Sequence, residues 1–290
     1  MKSELVIDAG TALGEGAFWD DQGAVLYWVD IEEREVRVYD PDADSDQVYK
    51  VTDRPGTIVP RVGGGIVVAM GHEIVTFNEP GGEARVLCRF AEEPDENRMN
   101  DGKCDPAGRL WVGSLSTKGT RETSALYCVE ADGTYRAALT GVTISNGIVW
   151  TPDEKTMFYI DTGTRAVQAF DYDKKAGAIG NGRTAFEIPE AMGYPDGMTI
   201  DSQGMLWIAM FFGKAVRRFD PQRGVLLESV ELPVSNATSC ALGGADLRDL
   251  YITTARVGLA IEALAAEPAA GGLFRARVEV PGIPQHRFAG

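Results

Sequence analysis

The stretch RMNDGKCDPAGRLWVGS, residues 98–114, contains a polar segment, a turn and an apolar segment in direct succession. The residues DPAG are typical of a turn, because Asp and Pro suit its first positions and Gly adopts backbone angles that other residues avoid. The apolar segment GRLWVGS has the branched and aromatic side chains of a β-strand. Arg98, Asn100 and Asp101 precede the turn, where a strand that only packs in a core would carry apolar side chains. The stretch therefore predicts two strands, the first of which does more than pack.

Apolar strand-like segments similar to residues 108–114 recur along the whole chain. Their starts lie roughly 40 to 50 residues apart, which is the period of a four-stranded propeller blade and is too long for leucine-rich or tetratricopeptide repeats. Closing such blades into a ring leaves only short, protected sheet edges. We therefore predict an all-β protein, a six-bladed β-propeller with four-stranded antiparallel blades, formed by residues 1–290 as a single domain. The six segments are 23–30, 64–70, 108–114, 155–162, 204–210 and 249–255.

The two ends of the chain are expected to meet in one blade. ELVID, residues 4–8, has no blade of its own, so we predict that this N-terminal strand closes the last blade. Its partner is expected to be the sheet formed by the final strands, at about residues 272–288. AIEALAAEPAAGG, residues 260–272, is the only helix-like segment and is interpreted as an excursion from a loop.

The charge of the chain limits its partners. A formal net charge of -15 argues against nucleic acid and against an anionic membrane surface, because both need clustered Lys and Arg. The N-terminus lacks the continuous apolar stretch of a secretory signal, so a cytoplasmic protein is expected. The four cysteines have no paired spacing and are interpreted as buried free thiols. The oligomeric state stays open between a monomer and a weak dimer.

Four polar residues occupy equivalent positions relative to the turns of different repeats. The turns begin at Asp20, Asp105, Thr151 and Asp201, and an oxygen-bearing side chain stands five positions before each one. Because the innermost strands of a propeller line its channel, these side chains are expected to converge. The alternative is that each Asn-Gly or Asp-Gly pair forms a hairpin turn, which would leave strands of only about four residues. The four residues are Glu15, Asn100, Asn146 and Asp196.

Two carboxylates and two amides without His or Cys indicate a site for one divalent metal ion. Oxygen ligands favour a hard ion such as Ca²⁺, Mg²⁺ or Mn²⁺. Zn²⁺ and Fe²⁺ also accept carboxylates, so the identity of the ion stays open.

At these residues the chain resembles members of the SMP-30/gluconolactonase family, and the resemblance extends over nearly its full length. The motifs that carry it are LGEGAFW at 13–19, RMNDGKCDPAGRLWVGS at 98–114, SNGIVWTPDEKTMFYIDT at 145–162, YPDGMTIDSQGMLWIAM at 194–210 and TSCALGGADLRDLYITTARVGL at 238–259. The resemblance implies a six-bladed propeller that binds one divalent metal ion and hydrolyses sugar lactones to aldonic acids. The bacterial xylono-, arabino- and gluconolactonases of sugar oxidation are the most similar members.

The resemblance also implies a role for individual residues. It places metal ligands at Glu15, Asn146 and Asp196, and it places Asn100 near the metal ion through water or substrate. Arg98 would reach substrate oxygens, although a salt bridge from Arg98 to an acidic neighbour such as Glu96 is the structural alternative. An acidic substrate contact of the family would fall on Glu122, but the spacing there departs from the family pattern.

The mechanism is expected to depend on the metal ion. A Ser-His-Asp hydrolase is disfavoured, because the sequence has no GxSxG motif and only two histidines, His72 and His286. Asp196 is the candidate general base for the attacking water, and a role as a metal ligand alone is left open.

Two other classes of function are left open. Aryl-ester and organophosphate hydrolases use the same propeller and metal geometry but need a more apolar channel mouth, to which Trp19, Phe211 and Phe212 would contribute. A propeller that binds Ca²⁺ or carbohydrate without catalysis is the third reading, because a fold does not determine a function.

Overall fold

Six sheets of four antiparallel strands surround a central channel in the computed structural model, which describes residues 1–290. The strands are β1 Glu4–Ile7, β2 Gly14–Asp20, β3 Val25–Asp30, β4 Glu35–Asp40, β5 Ser45–Lys50, β6 Pro55–Pro60, β7 Ile66–Met70, β8 Glu73–Phe77, β9 Ala84–Arg89, β10 Asn97–Cys104, β11 Leu110–Ser116, β12 Ser124–Val129, β13 Tyr135–Val142, β14 Ser145–Trp150, β15 Thr156–Asp161, β16 Ala166–Asp173, β17 Ala178–Glu187, β18 Tyr194–Ile200, β19 Leu206–Phe211, β20 Ala215–Asp220, β21 Val225–Glu231, β22 Ala237–Gly243, β23 Asp249–Thr254 and β24 Leu273–Arg277. The helices are α1 Ile261–Ala266 and two 3₁₀ turns, Thr162–Thr164 and Glu190–Met192.

The first five blades each consist of four consecutive strands, beginning at β2, β6, β10, β14 and β18. The sixth blade has the order β22-β23-β24-β1, so its outermost strand comes from the N-terminus. β1 pairs antiparallel with β24, with Leu5 opposite Phe274. The predicted six-bladed propeller, the closure by residues 4–8 and the helix within residues 260–272 are therefore confirmed.

The six innermost strands, β2, β6, β10, β14, β18 and β22, contact one another around the ring and line the channel. They all run in the same direction along it. We call the end at which they begin the upper end and the end at which they enter their turns the lower end. The predicted polar residues stand early in their strands, so all four lie towards the upper end.

The turns at the lower end use aspartate side chains to hold the backbone. Asp105 is fully buried, and its Oδ1 accepts a hydrogen bond from the amide of Ala107 at 2.9 Å. Its Oδ2 accepts from Nε1 of the buried Trp111 at 3.0 Å. The fifth blade repeats this arrangement with Asp201 and Trp207. The predicted turn chemistry is thus present, and it also anchors the large side chains that pack between blades.

The C-terminal segment differs from the prediction. The last strand, β24, ends at Arg277, and residues 278–290 form only isolated bridges instead of extending the sheet to about residue 288. Pro281 and Pro284 lack the amide hydrogens that a continuous ladder requires. The segment lies across the lower end, where Phe288 exchanges backbone hydrogen bonds with the second blade through Pro60 and Val62.

All four cysteines are free, as predicted, and three of them are buried, whereas Cys88 is only half-buried. None of the helices has the length and apolar character needed to cross a bilayer.

Candidate metal centre

A β-bulge occurs in the inner strand of each blade that carries a predicted ligand. In the third blade Met99 pairs with Ser114 and Gly102 pairs with Val112, so the two residues between them, Asn100 and Asp101, oppose a single residue. Register shifts at the equivalent place in the other three blades begin at Glu15, Ser145 and Pro195. A bulge leaves residues outside the ladder and redirects their side chains, which explains why Asn100, Asn146 and Asp196 turn into the channel, whereas Glu15 pairs with Val29 and directly precedes the bulge of its strand. The alternative reading as hairpin turns is therefore wrong.

The glycines that follow these residues allow neighbouring inner strands to approach closely. A Cβ atom on Gly147 would lie 2.8 Å from the backbone oxygen of Asp196. One on Gly197 would lie 2.9 Å from the Cα atom of Ser239 in the sixth blade. Both distances are shorter than a side chain tolerates, so glycine is required where the strands that carry Asn146 and Asp196 meet their neighbours.

Hydrogen bonds connect three of the polar residues across two blades. Nη1 of Arg98 donates to Oδ1 of Asn100 at 2.8 Å, and Nδ2 of Asn100 donates to Oδ1 of Asn146 at 3.1 Å. Nδ2 of Asn100 also donates to the backbone oxygen of Ser145 at 2.7 Å. Arg98, Asn100 and Asn146 are all buried. The structure therefore brings these residues together as the sequence predicted.

The orientation of the Asn146 amide is determined by Thr162. The carbonyl oxygen of Pro195 can only accept, so the Thr162 hydroxyl must donate to it, at 2.7 Å. The same hydroxyl oxygen then accepts from Nδ2 of Asn146, at 2.8 Å. The amide nitrogen thus points to Thr162 and the amide oxygen points towards Asn100. An oxygen held in this way suits a metal ligand, because hydrogen bonds from the surroundings orient ligand groups.

The carboxyl groups of Glu15 and Asp196 are both buried and lie close enough for each to influence the pKa of the other. Burial, followed by the nearby Asp101 carboxylate, raises the pKa of Glu15 to about 8. Burial and then the Glu15 carboxylate raise the pKa of Asp196 well above its usual range. Two buried acids with raised pKa values repel each other when both are ionised, and a cation between them would remove that repulsion.

A second observation fits a metal ion at this site. Oδ1 of Asp196 is buried and has no hydrogen-bond partner, although buried polar atoms are normally paired. Nowhere in the chain do three His, Cys, Asp or Glu side chains gather as a ligand set, so Glu15 and Asp196 need a third ligand of another type. The amide oxygen of Asn146 can provide it. The residues present therefore fit an oxygen-ligated divalent cation.

Arg98 was expected either to contact the substrate or to form a salt bridge with Glu96. Its suggested partner Glu96 lies 3.3 Å from the Lys118 ammonium group and accepts a hydrogen bond from the Thr120 hydroxyl. Arg98 itself makes no ion pair, and its only other hydrogen bond goes from Nη1 to the backbone oxygen of Met99. The salt bridge between Arg98 and Glu96 is therefore wrong, and the guanidinium group is available to a ligand.

Glu122 is not brought to the other predicted site residues. It is exposed in the loop between β11 and β12, with a φ of 59°. The surface cleft that it lines also contains Glu92 and Tyr135 and includes none of the other five. Nothing in its position supports a contact with the substrate.

His72, Trp19 and Phe212, which the sequence also singled out, lie outside the metal centre. His72 bonds through Nε2 to the backbone oxygen of Asn97 at 2.7 Å, which holds the start of β10. Trp19 is buried and stacks on Tyr251 at 5.4 Å near the lower end, so it does not contribute to an apolar channel mouth. Phe212 is 48% exposed and packs edge-on against Phe211 at the upper end of the fifth blade.

Two residues near the centre were not assigned a role from the sequence. Thr162 is not predictable as a site residue, because a threonine at the end of an apolar strand is common in sheets of any function. Asp101 stands beside Asn100, and only the bulge reveals that its carboxylate is buried with Oδ2 unpartnered. Its adjacency to Asn100 in a polar run was the available signal.

Comparisons with known proteins agree with this geometry. The family model for the SMP-30/gluconolactonase/LRE-like region matches residues 13–256. Regucalcin of Danio rerio is 37% identical over 293 residues, and the "Putative sugar lactone lactonase YvrE" of Bacillus subtilis (strain 168) is 33% identical over 290 residues. Each alignment covers 100% of this chain and 99% of the relative. The solved structure of a luciferin-regenerating enzyme has a TM-score of 0.93 and 32% identity, with 99% of both chains covered. This chain therefore belongs to the SMP-30/gluconolactonase/LRE-like family.

Proposed function

We propose that the protein is a metal-dependent hydrolase that opens a sugar lactone to the aldonic acid. The observation that carries the proposal is that Glu15, Asn146 and Asp196 come from three blades, with Glu15 beside Asp196, Asn146 linked through Thr162 to Pro195, and one Asp196 oxygen buried and unpartnered. Membership of the family and the name of the Bacillus relative support the reaction class. The proposed substrate is a small sugar lactone.

Each residue of the site has a chemical task in this proposal. Glu15, Asn146 and Asp196 would hold the cation. The chemistry supplied by a bound divalent cation is polarisation of a carbonyl oxygen, which stabilises the negative charge that develops during ester hydrolysis. Asp196 would also orient or deprotonate the attacking water. Arg98 and Asn100, which are joined by a hydrogen bond, would position the hydroxyl groups of the sugar.

The proposal is tested by measuring base consumption during hydrolysis of several aldonolactones, an aryl ester and an organophosphate. We expect turnover of at least one aldonolactone, a fall of about tenfold or more with a chelator, and recovery when a divalent ion is restored. The half-exposed Phe212 makes the aryl ester the relevant competitor. Faster turnover of the aryl ester would favour the aryl-esterase class. Metal binding without chelator-sensitive turnover of any compound would favour a non-catalytic binding propeller.

Metal binding is expected to release a proton near neutral pH. The pKa of Glu15 is raised to about 8, so at pH 7 its carboxyl group is mostly protonated, whereas a metal ligand must be ionised. Metal affinity should therefore rise with pH through the pKa of Glu15, near pH 8. Calorimetry in two buffers of different ionisation enthalpy measures the proton release. A constant affinity between about pH 6 and pH 8 would contradict this prediction, and Glu15→Gln is expected to reduce the release.

A further inference from the structure

Arg98 is a buried cation that lacks a carboxylate partner. Arg98 is only 7% exposed. Both of its hydrogen bonds are donated by Nη1 to neutral oxygens, the backbone oxygen of Met99 and Oδ1 of Asn100. Burial lowers the pKa of Arg98 to about 10. A buried charge is costly unless it is paired, so the free side of this guanidinium group is suited to an anion supplied by a ligand.

A cleft at the upper end, between the second and third blades, is lined by Arg98. Its volume is about 570 Å³, which lies in the range of ligand-binding pockets. Arg54 and His72 line it from the second blade, and Thr117 lines it from the third. Met70 is its only apolar residue, so the cleft suits a polar ligand. Arg98 belongs both to this cleft and to the metal centre through its bond to Asn100.

Most other charges of the cleft already have partners. Glu73 pairs with Arg89, and Glu96 pairs with Lys118. Asp53 and Asp95 are exposed to water at the rim. Arg98 is therefore the one buried charge of the cleft without a partner.

Arg54 adds a second guanidinium group to the same cleft. It pairs with Glu32 at 3.0 Å, and both side chains are partly exposed, at 39% and 34%. Its charge is among the influences that lower the pKa of Arg98, which agrees with their placement in one cleft. With a divalent cation bound, the charges of Glu15 and Asp196 would be compensated, whereas the unpaired carboxylates of the cleft, Asp53 and Asp95, are exposed to water at its rim.

We propose that this cleft holds an anionic substituent of the substrate, a carboxylate or a phosphate, between Arg98 and Arg54. The inference rests on the proposed function, because it names the substrate class of the same site. The preferred substrate is thus a sugar lactone that carries a negative charge away from its ester group, with Arg54 as a residue that determines specificity.

The kinetic test compares gluconolactone with glucarolactone and 6-phosphogluconolactone. One of the two anionic lactones should have a kcat/KM about tenfold or more above that of the neutral one, as expected for a charge-assisted hydrogen bond. Which anion is preferred distinguishes a carboxylate from a phosphate. Arg54→Gln should lower this ratio and Glu32→Gln should raise it. Arg85→Gln is the matched control, because Arg85 lies in the same blade, is 69% exposed and does not line the cleft.

A binding test keeps this inference separate from the proposed reaction. Glucarate and 6-phosphogluconate are titrated into the protein by calorimetry, with gluconate as the reference. At least one of them should bind about tenfold more tightly than gluconate, with the difference reduced in Arg54→Gln and unchanged in Arg85→Gln. Equal affinities, or a difference that Arg54→Gln leaves intact, would overturn the anionic subsite. Absence of lactone turnover with this binding preference retained would overturn the proposed function alone.

Discussion

Replacement of Asp196 by Asn is expected to lower the turnover of a sugar lactone by a factor of about 10² or more, since general-base catalysis contributes on this scale. Asn keeps the size and one oxygen of the carboxylate but cannot accept a proton from water. The burial of Asp196 beside Glu15 and its unpartnered Oδ1 make it the acid that is placed to do so. The measurement is kcat with the metal content of the same preparation determined.

The metal content decides between the two roles of Asp196. Retained metal with the expected loss of rate supports a general base. Retained metal with nearly unchanged rate makes the base role wrong and leaves ligation. Loss of the metal assigns Asp196 to ligation. Asp220→Asn is the control for the loss of one negative charge in the same blade, because Asp220 only holds a hairpin turn, through the amides of Gln222 and Arg223.

Replacement of Thr162 by Val is expected to weaken metal binding by about 10- to 100-fold, the effect typical of groups that orient a metal ligand. Valine has nearly the same shape but cannot accept from Nδ2 of Asn146. The amide then loses one of its two orienting contacts and keeps only the hydrogen bond from Asn100 to its oxygen, so the oxygen is held less firmly towards the site. Calorimetric titration with Ca²⁺ and Zn²⁺ measures the affinity without any assay of activity.

Thr162→Ser separates orientation from packing. Serine retains the hydroxyl that donates to Pro195 and accepts from Asn146, so its metal affinity should stay close to that of the unchanged protein. A comparable loss of affinity in both variants would show that the methyl group, and not the hydroxyl, matters. Thermal unfolding of the metal-free variants shows whether either change destabilises the fold.

The ring of blades was predictable because its signals are local. Turn residues such as those at 105–108 and apolar strands such as 108–114 repeat with one period, and each repeat needs only its neighbours to form. The positions of Glu15, Asn100, Asn146 and Asp196 relative to these turns were sufficient to predict their convergence. The sheet predicted for the final strands at about residues 272–288 ends at Arg277, because the prolines of the following segment interrupt strand pairing.

The properties that make the site chemically useful depend on contacts between blades. The Asn146 amide is oriented by Thr162, whose own partner Pro195 belongs to the next blade. Arg98 is unpaired because Glu96 bonds instead to Lys118 and Thr120 in the third blade. No sequence motif indicates the hydrogen bond between Thr162 and Pro195 or the contacts of Glu96 with Lys118 and Thr120.

The propeller, its closure by the first strand and the four oxygen-bearing positions were predictable from the sequence, since periodicity and turn chemistry act over a few residues. Only the folded structure shows how the polar groups are oriented towards one another, that Asp196 retains an unpartnered oxygen and that Arg98 lines a polar cleft. These features arise where bulged strands of different blades meet, because hydrogen bonding and burial there depend on residues far apart in the chain.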